Sequence, residues 1–244
     1  MNERRVAVFV EGLTELVFVR ELLQCWYQYD SNEVGFECFN LCADNLLYSP
    51  YKLGSATESR AYFQIINVGN DNSVKSAMCA RREGLSKAGY TIIGLRDLYS
   101  TLYIKAAGRR EIVPDVSRRL MEAEREGLEA LDGVQLFYAV MEVEAWLLGM
   151  HSFLLKLDAK LTPEYIAENV GINLEDDVET TIFHPAKKLG EIYKQAGKEY
   201  GKHLTDISSI SSKLAKEDYI RLAASGHCAS FKAFLEAIVG EAVA

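Results

Sequence analysis

Three acidic side chains in this sequence each follow an apolar run that has the composition of a buried strand. Glu11 comes directly after one such run, and Asp97 and Glu142 each come two residues after another. A carboxylate at the end of a buried strand is costly unless it is paired or metal-bound. Mg²⁺ takes one or two protein carboxylates together with water and phosphate oxygens. The residue types and their positions therefore predict a divalent-metal site made from Glu11, Asp97 and Glu142.

The apolar runs before these carboxylates alternate along the chain with segments of helical spacing. Strands that alternate with helices are typical of an α/β fold with a mostly parallel sheet flanked by helices. Such sheets bind ligands at the carboxyl ends of their strands, so the three carboxylates are expected to converge on one edge. The predicted strands are 6–10, 62–68, 90–95 and 134–140, and the predicted helices begin near Thr14, Ser73 and Pro114.

The remainder of the chain lacks this alternation. Residues 29–60 are predicted to be irregular, with a turn at Ser49-Pro50, and residues 99–113 are predicted to form a loop. Beyond the fourth strand the chain is expected to be mainly helical. We therefore predict an α/β core over residues 1–150 and a mainly helical C-terminal extension over 151–244 that packs on it.

Other roles are open for single residues of the predicted site. Gly12 lets the backbone turn sharply after the first strand, so Glu15 on the first helical turn is an additional candidate. Thr14 can instead cap that helix, with Glu15 favoured there by the positive end of the helix dipole. Asp97 can likewise cap a loop or be neutralised by the neighbouring Arg96.

Glu144 is a further candidate because it stands two positions after Glu142. If the strand continued, the period of two would put both glutamates on one side. If a helix begins at about Glu142, the two side chains point about 200° apart and only one faces the site. In that case Glu142 is the expected ligand.

The most basic stretch of the chain lies between residues 184 and 203. On a helix that begins at Pro185, several of its lysines fall on one face, and tyrosines nearby could stack on bases. A solvated charged face is the alternative explanation. The predicted phosphate-binding residues are Lys187, Lys188, Lys194 and Lys198.

Composition narrows the classes of function. The net charge of −8 argues against a general nucleic-acid coat protein, because lysine and arginine carry phosphate binding. The chain has no P-loop, no GxGxxG and no serine or cysteine nucleophile motif. Cys38 and Cys42 are four apart without a second ligand pair, so zinc is not expected.

The cellular compartment is also indicated by composition. The five cysteines are scattered and odd in number, which is typical of reduced thiols. The chain begins almost directly with a strand, so we expect no signal peptide. Apolar runs are all shorter than the roughly 20 residues of a membrane helix. A cytoplasmic protein without a membrane partner is expected.

The residues around the first candidate carboxylate resemble a known motif. VAVFVEGLTE at 6–15 is similar to the first motif of TOPRIM domains, especially those of the OLD-family nucleases. Later segments resemble, in order, a TOPRIM-like family of uncharacterised bacterial proteins often encoded beside ATPases. Those segments are Asp97-Leu98-Tyr99, Glu142-Val-Glu144-Ala-Trp146, Pro185-Ala-Lys187-Lys188-Leu189, Tyr193-Lys194 and Cys228-Ala-Ser230-Phe231.

The resemblance implies a four-stranded, largely parallel TOPRIM-like sheet flanked by helices. In active TOPRIM enzymes the first glutamate acts in acid–base chemistry and a D-x-D pair holds Mg²⁺. By position, Glu11 takes the first role and Asp97 that of the first metal aspartate. Tyr99 stands where the second aspartate would be, and Glu142 is the residue that could supply the missing carboxylate.

The function expected from these features is cleavage of DNA or RNA with Mg²⁺ or Mn²⁺. The gene neighbourhood of the family implies a regulated toxin or anti-phage defence effector with an ATPase partner. The alternative is a non-catalytic TOPRIM-like scaffold that docks on the ATPase or on nucleic acid, which Tyr99 and the acidic charge favour. A small-molecule phosphotransferase would fit the carboxylates but lacks a nucleotide loop. Assembly into a homo-oligomer is left open.

Overall fold

The structure is a computed structural model that describes residues 4–41, 45–46, 58–69 and 73–243. Cys42 and the turn predicted at Ser49-Pro50 lie outside these residues. The chain divides into two compact units, which alternate along the sequence. The first comprises Met1–Arg96 and Ala123–Phe137, and the second comprises Asp97–Glu122 and Tyr138–Ala244. The expected division at residue 150 stays a prediction.

The first unit is built on a sheet whose strand order is β3-β2-β4-β1-β5-β6. Five of these strands are parallel, and the two-residue β3 pairs antiparallel with β2 at one edge. The expected α/β architecture with helices flanking a mostly parallel sheet is confirmed. The elements are β1 (Arg4–Val10), α1 (Leu13–Trp26), β2 (Val34–Asn40), β3 (Asn45–Leu46), β4 (Ala61–Asn67), α2 (Val74–Lys87), β5 (Thr91–Asp97) and, later in the chain, β6 (Val134–Ala139).

The central strand is the one with the most continuous apolar sequence. Val6–Val10 are fully buried, and Val8 pairs in parallel register with Ile65 of β4 on one side and Ile93 of β5 on the other. A strand with neighbours on both edges and helices on both faces buries every side chain, which explains its unbroken apolar run.

The predicted number of four strands is wrong, because residues 29–60 are not irregular throughout. Val34–Asn40 forms β2, which pairs with β4 from Val34↔Ala61 to Asn40↔Asn67. Gly35 and Glu37 interrupt its apolar pattern, so its sequence alone does not indicate a strand. Pairing with β4 is a tertiary effect that local propensity does not contain.

Gly94 in β5 leaves the space that α2 needs to pack on the sheet. A Cβ at this position would meet the Met78 sulfur, and would lie 2.7 Å from Leu136 Cδ1 and 3.1 Å from Val74 Cγ1. We expect Gly94→Ala to lower the free energy of unfolding by about 1–3 kcal/mol through overpacking.

Urea unfolding measures this effect, with Gly84→Ala in α2 as the matched control. A Cβ at Gly84 would meet nothing within 4 Å, so that substitution should stabilise the helix by about 0.5–1 kcal/mol. Equal midpoints for the two variants would contradict the close approach at Gly94.

The second unit is mainly helical. Within residues 99–113, where a loop was predicted, Ser100 caps a helix by accepting a hydrogen bond from the Tyr103 N–H at 3.1 Å. Its elements are α3 (Thr101–Ala107), α4 (Pro114–Arg125, whose last turn belongs to the first unit), α5 (Val143–Gly149), α6 (Ser152–Leu157), α7 (Pro163–Val170), α8 (Val178–Thr181), α9 (Pro185–Gln195), α10 (Leu204–Ser211), α11 (Lys216–Ala224) and α12 (Ala229–Val239).

Trp146 on α5 forms the centre of the helical core. It is fully buried, and its ring lies 5.3 Å from that of Phe231 and 5.5 Å from that of Phe234. Its indole N–H donates to Glu179 Oε1 at 2.9 Å, so the polar edge of the ring is satisfied inside the core. α5 is therefore held firmly by its interior face.

Within the described ranges, no helix combines the length and apolarity needed to cross a bilayer.

Candidate metal centre

Asp97, Glu142 and Glu144 form a buried acidic cluster, called here the acidic triad. One carboxylate oxygen from each residue lies within 4.8 Å of the others. Asp97 is 8% exposed, Glu142 is 4% exposed and Glu144 is fully buried. Among the residues that the structure describes, these are the three His, Cys, Asp or Glu side chains that lie close enough together to share a metal ion.

Backbone hydrogen bonds beyond two strand ends bring the triad together. The Tyr99 N–H donates to the Met141 carbonyl at 2.7 Å, and the Val143 N–H donates to Asp97 Oδ1 at 3.0 Å. Met141 has a φ of 67°, a left-handed conformation that costs a non-glycine residue on the order of 1 kcal/mol or more. This turn joins β6 to α5 and sets the two glutamates beside Asp97.

Both glutamates belong to the triad, whereas the sequence predicted one of them if a helix began near Glu142. α5 begins at Val143, and Glu142 precedes it as an extended N-cap residue with φ −145° and ψ 155°. The angle of about 200° holds only between two helical residues. One extended residue before the helix is therefore enough to turn both carboxylates to the same place.

Lys202 supplies the cation nearest to the triad in the described structure. Its Nζ lies 2.8 Å from Glu142 Oε1 and 3.2 Å from Glu144 Oε1. Its backbone φ of 57° is again in the left-handed region, and 38% of its side chain is exposed. The ammonium therefore bridges two buried carboxylates while its own side chain still reaches solvent.

The pKa values of these groups move in different directions. Burial raises the pKa of Glu142, but the Lys202 ammonium and the surrounding hydrogen bonds lower it by more. The pKa of Glu142 is therefore below its ordinary value. Burial raises the pKa of Glu144. The Lys202 ammonium only partly offsets this rise, and the negative charge of Glu142 adds to it. Burial lowers the pKa of Lys202, yet Glu144 and Glu142 together raise it above its ordinary value.

Three further groups fix the orientation of the glutamates. His184 Nδ1 lies 2.9 Å from Glu142 Oε2, and the Ala186 N–H donates to the same oxygen at 3.0 Å. The Tyr200 hydroxyl donates to Glu144 Oε1 at 2.7 Å. Groups that hydrogen-bond metal-binding carboxylates in this way hold them in position for a metal ion.

Glu144 Oε2 is buried, and within the described structure it has no hydrogen-bond partner. Leaving a buried polar group unsatisfied costs about 1–3 kcal/mol, and more for a charged one. An unsatisfied carboxylate oxygen beside two other buried carboxylates is an environment that could hold a metal ion, and an all-carboxylate donor set is of the hard type.

Glu11 and Glu15, the other acidic candidates, belong to the first unit. Glu11 follows β1 in the first unit and is not one of the three grouped carboxylates. Glu15 is buried in the first turn of α1, and a Cβ at Gly12 would lie 2.8 Å from its Oε2. The participation of Glu11 and Glu15 in a metal site stays a prediction.

The predicted phosphate-binding lysines differ in what they contact. Lys188 Nζ donates to the Val170 carbonyl at 3.1 Å and to Glu191 Oε2 at 2.8 Å. Lys198 Nζ donates to the Leu157 carbonyl at 3.2 Å. Lys187 is 69% exposed and lies 3.9 Å from Glu191, and Lys194 is exposed. Lys187 and Lys194 also line a groove of about 380 Å³ on α9, so they are better placed than Lys188 to meet a ligand.

The sequence singled out the basic stretch but did not connect it with the carboxylates. Lys202, His184 and Tyr200 contact the triad from positions 42 to 60 residues away along the chain. No spacing rule covers such distances, and a lysine between glycine and histidine has no local signature of a buried ion pair. The left-handed backbone at Lys202 is likewise invisible in the sequence.

Comparison of the chain with protein-family models, with curated proteins and with solved structures gave no significant match.

Proposed function

We propose that the acidic triad binds Mg²⁺ or Mn²⁺ and that the chain uses this ion to hydrolyse phosphodiester bonds in nucleic acid. The observation that carries the proposal is the unsatisfied Oε2 of Glu144 beside the carboxylates of Asp97 and Glu142. In the described structure the Lys202 ammonium contacts Oε1 of Glu142 and Oε1 of Glu144 and leaves Glu144 Oε2 without a hydrogen bond.

A bound divalent ion would polarise the phosphoryl oxygen and lower the pKa of a water nucleophile. Asp97, Glu142 and Glu144 would hold that ion. Tyr200 keeps Glu144 in place, and His184 and the Ala186 N–H do the same for Glu142. Glu11 as the acid–base residue is supported by the resemblance of residues 6–15 to the first TOPRIM motif and by nothing further.

The biological setting rests on the same resemblance. A nuclease that was always active would damage its own cell, which favours a regulated toxin or anti-phage defence effector. An ATPase as the controlling partner, and a cytoplasmic location, follow from the family's gene neighbourhood and from composition.

A second candidate function is the non-catalytic scaffold, and one observation favours it. Lys202 already bridges Glu142 and Glu144, so the cluster could be a structural ion-pair network that never meets a metal. Perturbed carboxylates occur in structural networks as well as in active sites. The two candidates differ in whether a divalent cation binds.

A cleavage assay with the purified chain tests the proposed activity. We expect breakdown of single-stranded or duplex DNA or RNA with Mg²⁺ or Mn²⁺ and none in EDTA. Asp97→Asn should lower the cleavage rate by at least about a hundredfold, because it removes one of the negative charges proposed to bind the metal. The amide oxygen of asparagine can still accept the hydrogen bond from the Val143 N–H. Glu168→Gln, at an exposed position on α7, is the control. Equal rates for Asp97→Asn and wild type would contradict the assignment.

The exposed lysines of α9 give a separate test of nucleic-acid binding. If Lys187 and Lys194 contact phosphates, each Lys→Gln change should reduce the slope of log affinity against log salt by about 0.7 to 0.9. Lys188→Gln is the matched control, since its Nζ is held by Val170 and Glu191. Salt titrations measure the slopes. Unchanged slopes for all three variants would leave these lysines as a solvated face.

A further inference from the structure

Three aromatic rings form a ledge beside the acidic triad. The Tyr99 ring stacks on the His184 ring, with centroids 4.7 Å apart and planes inclined by 26°. Phe183 meets Tyr99 edge-on at 5.5 Å. Each of the three residues is partly exposed, and 39% of the His184 side chain is accessible. The rings therefore support one another and still present surface to solvent.

This aromatic ledge, defined by Tyr99, Phe183 and His184, is attached to the triad at two points. Tyr99 is two residues beyond Asp97, and its N–H donates to the Met141 carbonyl next to Glu142. His184 Nδ1 lies 2.9 Å from Glu142 Oε2. A flat group that stacked on the ledge would thus lie next to the carboxylates proposed to hold the metal.

Cationic side chains follow the ledge along the chain. α3 begins two residues after Tyr99, and its Tyr103 ring lies 6.4 Å from that of Phe183. Lys105 on α3 and Arg109 and Arg110 just beyond it are exposed. These cations are close to the ledge in the sequence, and Arg109 lies 3.1 Å from Glu111. Aromatic surface combined with basic side chains is the combination that binds single-stranded nucleic acid, in which bases are free to stack and phosphates need cations.

We infer that the aromatic ledge stacks an unpaired base of the substrate, so that the site takes single-stranded or locally unpaired nucleic acid. This inference rests on the proposed function. The stacked base places the neighbouring phosphodiester at the acidic triad. A base within a duplex offers its face only to the adjacent bases, so duplex substrates are selected against.

The test measures binding of a fluorescent 12-nucleotide DNA or RNA by anisotropy, in Ca²⁺ and in EDTA, with the oligonucleotide checked for integrity. We expect the single strand to bind at least tenfold more tightly than the matching duplex. One abasic position within the bound stretch should weaken binding by about five- to 150-fold, which corresponds to the roughly 1–3 kcal/mol that one base–aromatic stack contributes.

Variants of Tyr99 separate stacking from support of the fold. Tyr99→Phe keeps a ring and should bind as wild type does. Tyr99→Leu should lose as much affinity as the abasic substitution, and combining the two should add little further loss. Equal binding of single strand and duplex would overturn the inference, and so would abasic substitutions without effect or a Tyr99→Leu variant of wild-type affinity.

Metal binding measured on the same samples distinguishes the two levels of the proposal. If Mn²⁺ does not bind but single strands do, and the affinity depends on Tyr99, the ledge stands and the metal-dependent function fails. If Mn²⁺ binds and duplexes are cut as fast as single strands, the proposed function stands and the ledge fails. If no nucleic acid binds under either condition, the inference is overturned.

Discussion

Lys202→Met is expected to lower the free energy of unfolding by about 2–4 kcal/mol in the presence of a chelator. Its ammonium bridges two buried carboxylates, Glu142 and Glu144, and removing one partner of a buried ion pair leaves an uncompensated charge. We expect a loss near the lower end of the range that is usual for a broken buried ion pair. The reason is that 38% of the lysine side chain is exposed, so solvent screens part of the interaction.

Divalent cations should reverse this loss if the triad binds metal. Without the ammonium, repulsion between Lys202 and the ion disappears, so Mn²⁺ should bind Lys202→Met more tightly than wild type. Saturation at 100 times the dissociation constant would then restore about 2.7 kcal/mol. Thermal and urea unfolding with and without Mn²⁺ measure both effects.

Lys198→Met is the matched control for this experiment. Lys198 also lies near the end of the basic stretch, but its Nζ contacts the Leu157 carbonyl rather than a carboxylate. Its replacement should change stability by less than about 1 kcal/mol and should leave the response to Mn²⁺ as in wild type. A destabilised Lys202→Met that Mn²⁺ does not stabilise would favour the scaffold over the enzyme.

Glu144→Gln and Glu142→Gln should affect stability in opposite directions while both lose metal binding and cleavage. Burial raises the pKa of Glu144, so its ionised form is disfavoured in the fold and a neutral isostere removes that penalty. The pKa of Glu142 is lowered overall because Lys202 and two hydrogen-bond donors favour its ionised form. Glu144→Gln should therefore be as stable as wild type or more so, and Glu142→Gln should be less stable.

The pH dependence of stability gives the same comparison a second readout. A raised folded pKa means that ionised Glu144 opposes folding above its unfolded pKa, and this effect fades as acid protonates the group. The advantage of Glu144→Gln should hence be largest near neutral pH and small in acid. For Glu142 the folded pKa is lowered, so its contribution is present above the unfolded pKa and is lost as pH falls through the folded value.

Unfolding midpoints between pH 3 and 8 and Mn²⁺ titrations at neutral pH measure these differences. Glu168→Gln, at an exposed position on α7, is the control for removal of a glutamate charge outside the triad. Loss of stability in both triad variants by the same amount would indicate that Glu144 is a structural ion-pair partner. Retained Mn²⁺ affinity in either variant would remove that residue from the site.

The parts of the fold that the sequence predicted are those whose signal is local. β1 has five consecutive apolar residues, Val6–Val10, because a central parallel strand is covered on both faces. β2 carries Gly35 and Glu37 within its span, and its strand conformation depends on hydrogen bonds to β4. A pattern that arises from a partner strand 27 residues away is not contained in the segment itself.

The candidate site divides in the same way. Asp97 and Glu142 were predicted because each follows an apolar strand, and the structure groups them. The inclusion of Glu144 depends on whether the helix begins at 142 or at 143, a difference of one residue that capping rules do not resolve. Lys202 depends on a left-handed backbone and on a contact 60 residues away, and neither has a signature in the sequence.

The claim that the acidic triad is a divalent-metal site is tested most directly by diffraction from crystals of the whole chain soaked in Mn²⁺. The account predicts an anomalous difference peak among the carboxylate oxygens of Asp97, Glu142 and Glu144, and its loss in Glu144→Gln crystals soaked in the same way. Crystals at saturating Mn²⁺ with no peak there, and with Lys202 Nζ still bridging Glu142 and Glu144, would contradict it.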